Sequence, residues 1–172
     1  MGKVTYYHQP AIEGTKGAIP LEGNNRLYTV HKVLWTSEIE SYLASILIGK
    51  TLHVCCGKSK LGDVRVDLNE EDADIKCDAA DMREFVKDRE FDTVLCDPPY
   101  NGKFQWNHDM LSELARVSNN RIIFQHWFLP ADSNGNYKKD HGFSLSKVLV
   151  WQPQTYFGRV QVISIFDRRG DG

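Results

Sequence analysis

The residues best suited to chemistry in this sequence are Asp97-Pro98-Pro99-Tyr100, which directly follow the apolar run Thr93–Cys96. An amine on a planar ring is a poor nucleophile, because its lone pair is delocalised into the ring. The carboxylate of Asp97 and the carbonyl of Pro98 could each accept one N–H, localise that lone pair and aim it at a methyl group. The prolines fix φ and add no competing N–H, and Tyr100 could stack on the ring. These residues therefore predict a rigid site for methylating a ring amine; the alternative is a proline turn that Asp97 merely hydrogen-bonds.

A second candidate loop, Cys55-Cys56-Gly57, follows another apolar run. A glycine at position 57 would let the backbone approach a ligand closely, although taken alone this is an ordinary glycine turn. Asp67 ends the next apolar run, where an acid would hydrogen-bond ribose hydroxyls. Asp78 ends the run after that. Each acid could instead cap a turn or helix, and Asp81 is expected to be the N-cap of the helix that follows.

These loops need a sheet that brings strand ends together. Ser37-x-x-Glu40 is typical of a capping box at the start of an amphipathic helix that Gly49 would end. Further helices are expected at Asp81–Lys87 and Asn107–Val117. The predicted strands are Thr51–Cys55, Val64–Asp67, Ile75–Cys77, Thr93–Cys96, Arg121–His126, Lys147–Trp151 and Val160–Phe166. Alternation of strands with helices predicts a mostly parallel α/β sheet, and the short link between the last two strands predicts a C-terminal antiparallel hairpin.

The sequence resembles the N6-adenine and N4-cytosine amino-methyltransferases over about residues 50–166. Their signature, (D/N/S)-P-P-(Y/F/W), is matched by Asp97 to Tyr100. Their first cofactor motif, hydrophobic-D-x-G-x-G-x-G, is matched at Gly57, but His53, Cys55 and Ser59 replace the acid and the outer glycines. The resemblance implies a Rossmann-like class I methyltransferase fold.

The resemblance also implies the contents of the site. The cofactor would be S-adenosylmethionine (SAM), with no metal, and Met82 could pack on its adenine ring. The cofactor-binding residues would be Cys55, Cys56, Gly57, Asp67, Asp78 and Ala79. The catalytic residues would be Asp97, Pro98, Pro99 and Tyr100. The aromatic side chains that stack on the target base would be Phe104, Trp106, Tyr156 and Phe157.

Adenine N6 in DNA is the first choice of substrate, so the expected partner is nucleic acid, with DNA ahead of RNA. The alternatives are an RNA methyltransferase acting on adenine N6 or guanine N2, and a non-catalytic methyltransferase-like binding subunit. A protein-glutamine methyltransferase is disfavoured, because those enzymes usually carry Asn before Pro-Pro. The chain is expected to be a single domain, 1–172, with an irregular lead-in at 1–35 and no separate target-recognition domain, which a protein partner could supply.

Composition narrows the class of protein. With 41% hydrophobic and 26% charged residues the chain is typical of a globular domain, and without a long apolar run it is expected to be cytoplasmic and away from membranes. The four cysteines form no CxxC pair, which argues against zinc. Residues 63–100 carry 13 acids and 5 bases, so any basic face for phosphates would lie on the flanks. Lys138-Lys139 could meet phosphates and His126 could line the site, although a solvated pair and a structural histidine are the ordinary interpretations.

Overall fold

The computed structural model describes residues 3–4, 35–98, 108–126, 141–151 and 161–170. Within these ranges seven strands form one sheet in the order β1-β6-β7-β5-β4-β2-β3. The strands are β1 (Lys3–Val4), β2 (Thr51–Val54), β3 (Val64–Val66), β4 (Phe91–Cys96), β5 (Ser118–His126), β6 (Phe143–Trp151) and β7 (Gln161–Arg168). The helices are α1 (Ser37–Ile46), α2 (His108–Val117) and a 3-10 helix at Ala79–Glu84.

Strand direction follows the prediction. Strands β3, β2, β4 and β5 are mutually parallel, whereas β7 lies antiparallel between β5 and β6. Strand β1 adds a short parallel pairing to β6 through Lys3–Lys147 and Val4–Val148. The mostly parallel sheet with a C-terminal antiparallel hairpin is therefore confirmed.

Both faces of the sheet are covered, so its central strands are buried on both sides, and β2 is buried at all four of its positions. Side chains alternate between the faces along each strand: Val94 and Cys96 of β4 belong to one core cluster and Leu95 belongs to the other. Helix α2 and the 3-10 helix pack on the first face, with Leu114 and Met82 fully buried there. Helix α1 packs on the second face through Leu43.

Both predicted N-caps are wrong: Ser37 by one position and Asp81 by three. Helix α1 is capped by Thr36, whose hydroxyl accepts a hydrogen bond from the Ile39 amide at 3.3 Å. The 3-10 helix is capped by Asp78, whose Oδ1 accepts the Ala80 amide at 2.9 Å. In each case the earlier residue still has extended backbone, so its side chain can turn back to the first free N–H groups. Ser37 and Asp81 already lie inside their helices.

Two predicted elements are shorter than expected. The strand predicted at Ile75–Cys77 is reduced to a single parallel bridge between Ile75 and Val66. The helix predicted at Asp81–Lys87 is the 3-10 helix, which starts two residues earlier and ends at Glu84. None of the helices in the described ranges is long and apolar enough to cross a membrane.

Candidate functional site

The predicted loops meet where the chain changes its direction of travel across the sheet. From β2 the chain moves outward to β3, and it then returns to place β4 on the other side of β2. Because these strands are parallel, their carboxyl ends share one edge, and the crevice between β2 and β4 is where an open α/β sheet binds ligands. Cys55, Asp67 and Asp97 directly follow β2, β3 and β4 at this edge.

The loop after β2 has the backbone shape that glycines usually provide. Cys55 has φ +55° and Gly57 has φ +49°, a region that side-chain-bearing residues rarely enter. The Cys56 amide donates to the Val66 carbonyl at 3.1 Å, which ties the loop to β3. A side chain built at Gly57 would meet nothing within 4 Å. The loop therefore borders open space, where a bound molecule could approach the backbone.

Asp67 is joined directly to this loop. Its Oδ2 accepts the Gly57 amide at 2.9 Å, and its Oδ1 accepts the amides of Asn69 at 2.9 Å and Glu70 at 3.1 Å. These bonds fix the carboxylate against the loop that follows β2. Two of the residues predicted for the cofactor thus lie in contact.

The segment after Ile75 contributes less than the sequence indicated. Asp78 is exposed but uses Oδ1 to cap the 3-10 helix, and Ala79 is buried. Met82 has no exposed surface and belongs to the apolar cluster. The role predicted for Met82, packing on the adenine ring, stays a prediction.

Asp97 is held on both its backbone and its side chain. Its amide donates to the Val54 carbonyl at 3.2 Å, which joins the end of β4 to the end of β2. Its Oδ1 accepts a hydrogen bond from Gln125 Nε2 at 3.0 Å. Gln125 Oε1 in turn accepts the indole N–H of Trp35. Pro98, the next residue, is buried.

Sequence reasoning missed Gln125 and Trp35. At the end of β5 the predicted site residue was His126, the neighbour of Gln125. His126 has no exposed surface, its Nε2 lies 2.9 Å from Ser164 Oγ, and burial lowers its pKa to about 3. The register could have identified the right residue: Cys96 pairs with Phe124, so Asp97 and Gln125 fall opposite each other.

Burial favours the protonated form of three thiols near this edge. Burial raises the pKa of Cys56 to about 11, and it also raises the pKa of Cys77 and Cys96. Because the thiolate is the form that attacks and binds metals, these three groups stay protonated at neutral pH. Among the described residues no group of three or more His, Cys, Asp or Glu side chains is placed to hold a metal ion.

Several predicted site residues lie outside the described ranges. They are Pro99, Tyr100, Phe104, Trp106, Tyr156 and Phe157. The Lys138-Lys139 pair also lies outside them. Their roles stay predictions.

Comparison with solved structures identifies the fold. The chain is similar to 1,6-didemethyltoxoflavin-N1-methyltransferase from Burkholderia thailandensis, with a TM-score of 0.53, 10% identity and coverage of 78% of each chain. A proposed RNA methyltransferase from Pyrococcus horikoshii gives a TM-score of 0.51 at 13% identity, over 76% of this chain and 80% of that one. No family model and no curated protein matches the sequence. At such identities the likeness establishes the Rossmann-like methyltransferase fold and nothing about substrate.

Proposed function

We propose that this chain is a SAM-dependent methyltransferase acting on an exocyclic amino nitrogen of a nucleobase, with adenine N6 in DNA as the first substrate. One observation carries the proposal: the Asp97 backbone is bonded to the end of β2, beside the open glycine loop, while its carboxylate is held by Gln125. This arrangement puts a fixed hydrogen-bond acceptor next to a crevice that suits a cofactor.

The crevice fits SAM in three respects. The open space at Gly57 admits a molecule to the backbone of the loop, and Asp67 stands at its mouth as a carboxylate. Asp78 is exposed in the segment between β3 and the 3-10 helix. The Burkholderia neighbour was solved with S-adenosylhomocysteine, the product that remains after methyl transfer. When bound, SAM would supply a methyl group activated by the positive charge on sulfur.

Asp97 would act as the hydrogen-bond acceptor for the amine. An N–H held by the carboxylate keeps the nitrogen in one orientation and withdraws its lone pair from the ring. Methyl transfer is sensitive to alignment, so rigid placement of the acceptor lowers the barrier. The prolines add no N–H that could compete with the amine for Asp97.

The test is transfer of tritium from labelled SAM to unmethylated DNA and to bulk RNA, with Asp97→Ala beside the parent protein. Asp72→Ala is the matched control, because its carboxylate is 71% exposed and forms an ion pair with the exposed Lys60. We expect label on adenine in DNA, a loss of at least about 100-fold in Asp97→Ala, in line with removal of a transition-state hydrogen bond, and no change in Asp72→Ala.

Other outcomes redirect the proposal. Label on RNA alone would move the substrate to RNA and overturn the DNA assignment. Absence of label on either nucleic acid, together with absence of a thermal shift at saturating SAM, would overturn the enzyme and leave a binding subunit.

A further inference from the structure

The hydrogen bonds around Asp97 form a chain that runs from Trp35, just before the N-cap of helix α1, through Gln125 to the candidate active site. Trp35 precedes the N-cap of α1, and its indole N–H donates to Gln125, which donates in turn to Asp97. Gln125 is 1% exposed and Trp35 is 9% exposed. Buried polar groups are costly unless they are paired, so this chain is a built feature of the core.

The chemistry of the three groups allows one arrangement only. An indole nitrogen can donate but cannot accept, so the amide of Gln125 must present its oxygen to Trp35. Its NH₂ group then faces Asp97, and Oδ1 of Asp97 must accept. Trp35 therefore determines which end of the Gln125 amide meets the carboxylate.

Trp35 is itself held in place. Its ring stacks on His53 at 5.3 Å between centroids and 7° between planes. The His53 ring has its own anchor, since Nδ1 lies 3.2 Å from the Leu61 carbonyl. Burial lowers the pKa of His53 to about 4, so at neutral pH the ring is uncharged and donates from Nδ1 to that carbonyl. The indole thus has a flat neutral support that fixes the direction of its N–H.

We propose that Gln125, oriented by Trp35, is a positioning residue that holds Asp97 in the orientation needed to accept the substrate amine. The inference rests on the proposed function and adds to it two residues that act through Asp97. Loss of either bond keeps the Asp97 side chain but weakens or removes the hydrogen bond from Gln125 that orients its Oδ1. The effect therefore falls on kcat, while SAM binding in the neighbouring loop is unchanged.

The variant Gln125→Glu distinguishes a positioning role of Gln125 from a purely structural one. The glutamate is nearly isosteric and can still accept from Trp35, but it can donate to Asp97 only when the two carboxyl groups share a proton. Adjacent carboxylates raise the apparent pKa of one member of the pair. We expect kcat near that of the parent at pH 5.5 and a fall of at least tenfold by pH 8.5, a decline that the parent protein lacks over that range.

Two further variants complete the set. In Trp35→Phe the indole donor is lost, the Gln125 amide is free to flip, and kcat falls at least fivefold at every pH. In Gln125→Leu the donor to Asp97 is lost, and kcat falls at least tenfold at every pH. The matched control is Ser164→Ala, which removes a buried hydrogen bond to β5 at His126 and should leave kcat and its pH profile unchanged. The SAM Kd should stay within twofold in all four variants.

The outcomes separate this inference from the proposed function. A parent protein that methylates, with Gln125→Glu and Trp35→Phe equal to it at all pH values, overturns the positioning role and leaves the function standing. A parent protein that methylates nothing overturns the function. The inference is then decided by crystal structures of the parent and Gln125→Leu: rotation of the Asp97 carboxylate supports it, and an unchanged side chain overturns it.

Discussion

At the scale of single residues, the loop after β2 shows how backbone shape is kept when side chains change. Cys55 and Gly57 both adopt positive φ, and these are the positions where the resembled motif carries its first two glycines. A non-glycine residue in this region costs on the order of 1 kcal/mol. The loop keeps its open shape at Gly57 although Cys55 replaces a glycine.

Gly57→Ala should therefore lower the stability of the fold and, in addition, prevent SAM binding. The methyl group would occupy the open space beside the loop and would also strain a residue at φ +49°. Gly142→Ala is the matched control, because Gly142 also has positive φ, at +85°, and lies away from the crevice. We expect both variants to lower the melting temperature, but only Gly57→Ala to abolish the further stabilisation on adding SAM, measured by thermal shift. An equal shift with SAM in both variants would place the cofactor elsewhere.

At the scale of elements, the start of α1 matters because Trp35 immediately precedes its N-cap, Thr36. The cap at Thr36 fixes the point where extended backbone becomes helical, and this point sets the direction in which the preceding side chain leaves. The N-cap of α1, Thr36, and the first residue of the hydrogen-bond chain to Asp97, Trp35, are thus consecutive in the sequence.

Thr36→Ala and Ser37→Ala form a matched pair for this assignment. Loss of an N-cap side chain costs about 1 kcal/mol of unfolding free energy. Ser37 lies in the first turn, so its replacement should change stability by less than about 0.5 kcal/mol. Urea unfolding of both variants measures the difference, and the assignment of Thr36 as the cap is wrong if Ser37→Ala is the more damaging change.

The sequence was informative about strands and less so about side-chain direction. Apolar runs separated by polar turns predicted the central strands within a few residues, because burial on both faces leaves an unmistakable pattern. Helix N-caps are harder to assign from sequence, because adjacent hydroxyls or nearby acids could each cap the helix. The residue that does so is the one whose backbone is still extended. Choosing Gln125 over His126 needed the register of β5 against β4, which a single sequence does not contain.

At the scale of the whole molecule, two histidines are buried in the sheet and stay neutral. Burial lowers the pKa of His53 to about 4 and that of His126 to about 3. In an unfolded chain both would titrate near pH 6.5. Between these values the unfolded state binds more protons than the folded state, so stability rises with pH across this window.

The contribution of these two histidines to the free energy of unfolding should accordingly be fully present above about pH 6.5 and should decrease as the pH drops toward 4. The expected slope is about 1.4 kcal/mol per pH unit for each histidine while the folded form stays neutral. Urea unfolding at pH 7.5, 6.0 and 5.0 measures it, and His126→Leu should remove about half of the slope. A slope in this variant equal to that of the parent would show that the loss has another source.

The position of β7 has a consequence for how the chain acquires its fold. Strand β7 is the last described strand along the chain, yet it lies between β5 and β6 and pairs with both. Among the described strands β6 also pairs with β1, but it is linked to β5 and the rest of the sheet only after residues 161–168 have been synthesised and inserted. Contacts formed so late and across such sequence separation slow folding and leave strand edges exposed in the meantime. The nascent chain should depend on protection by chaperones most strongly in the interval before β7 emerges from the ribosome.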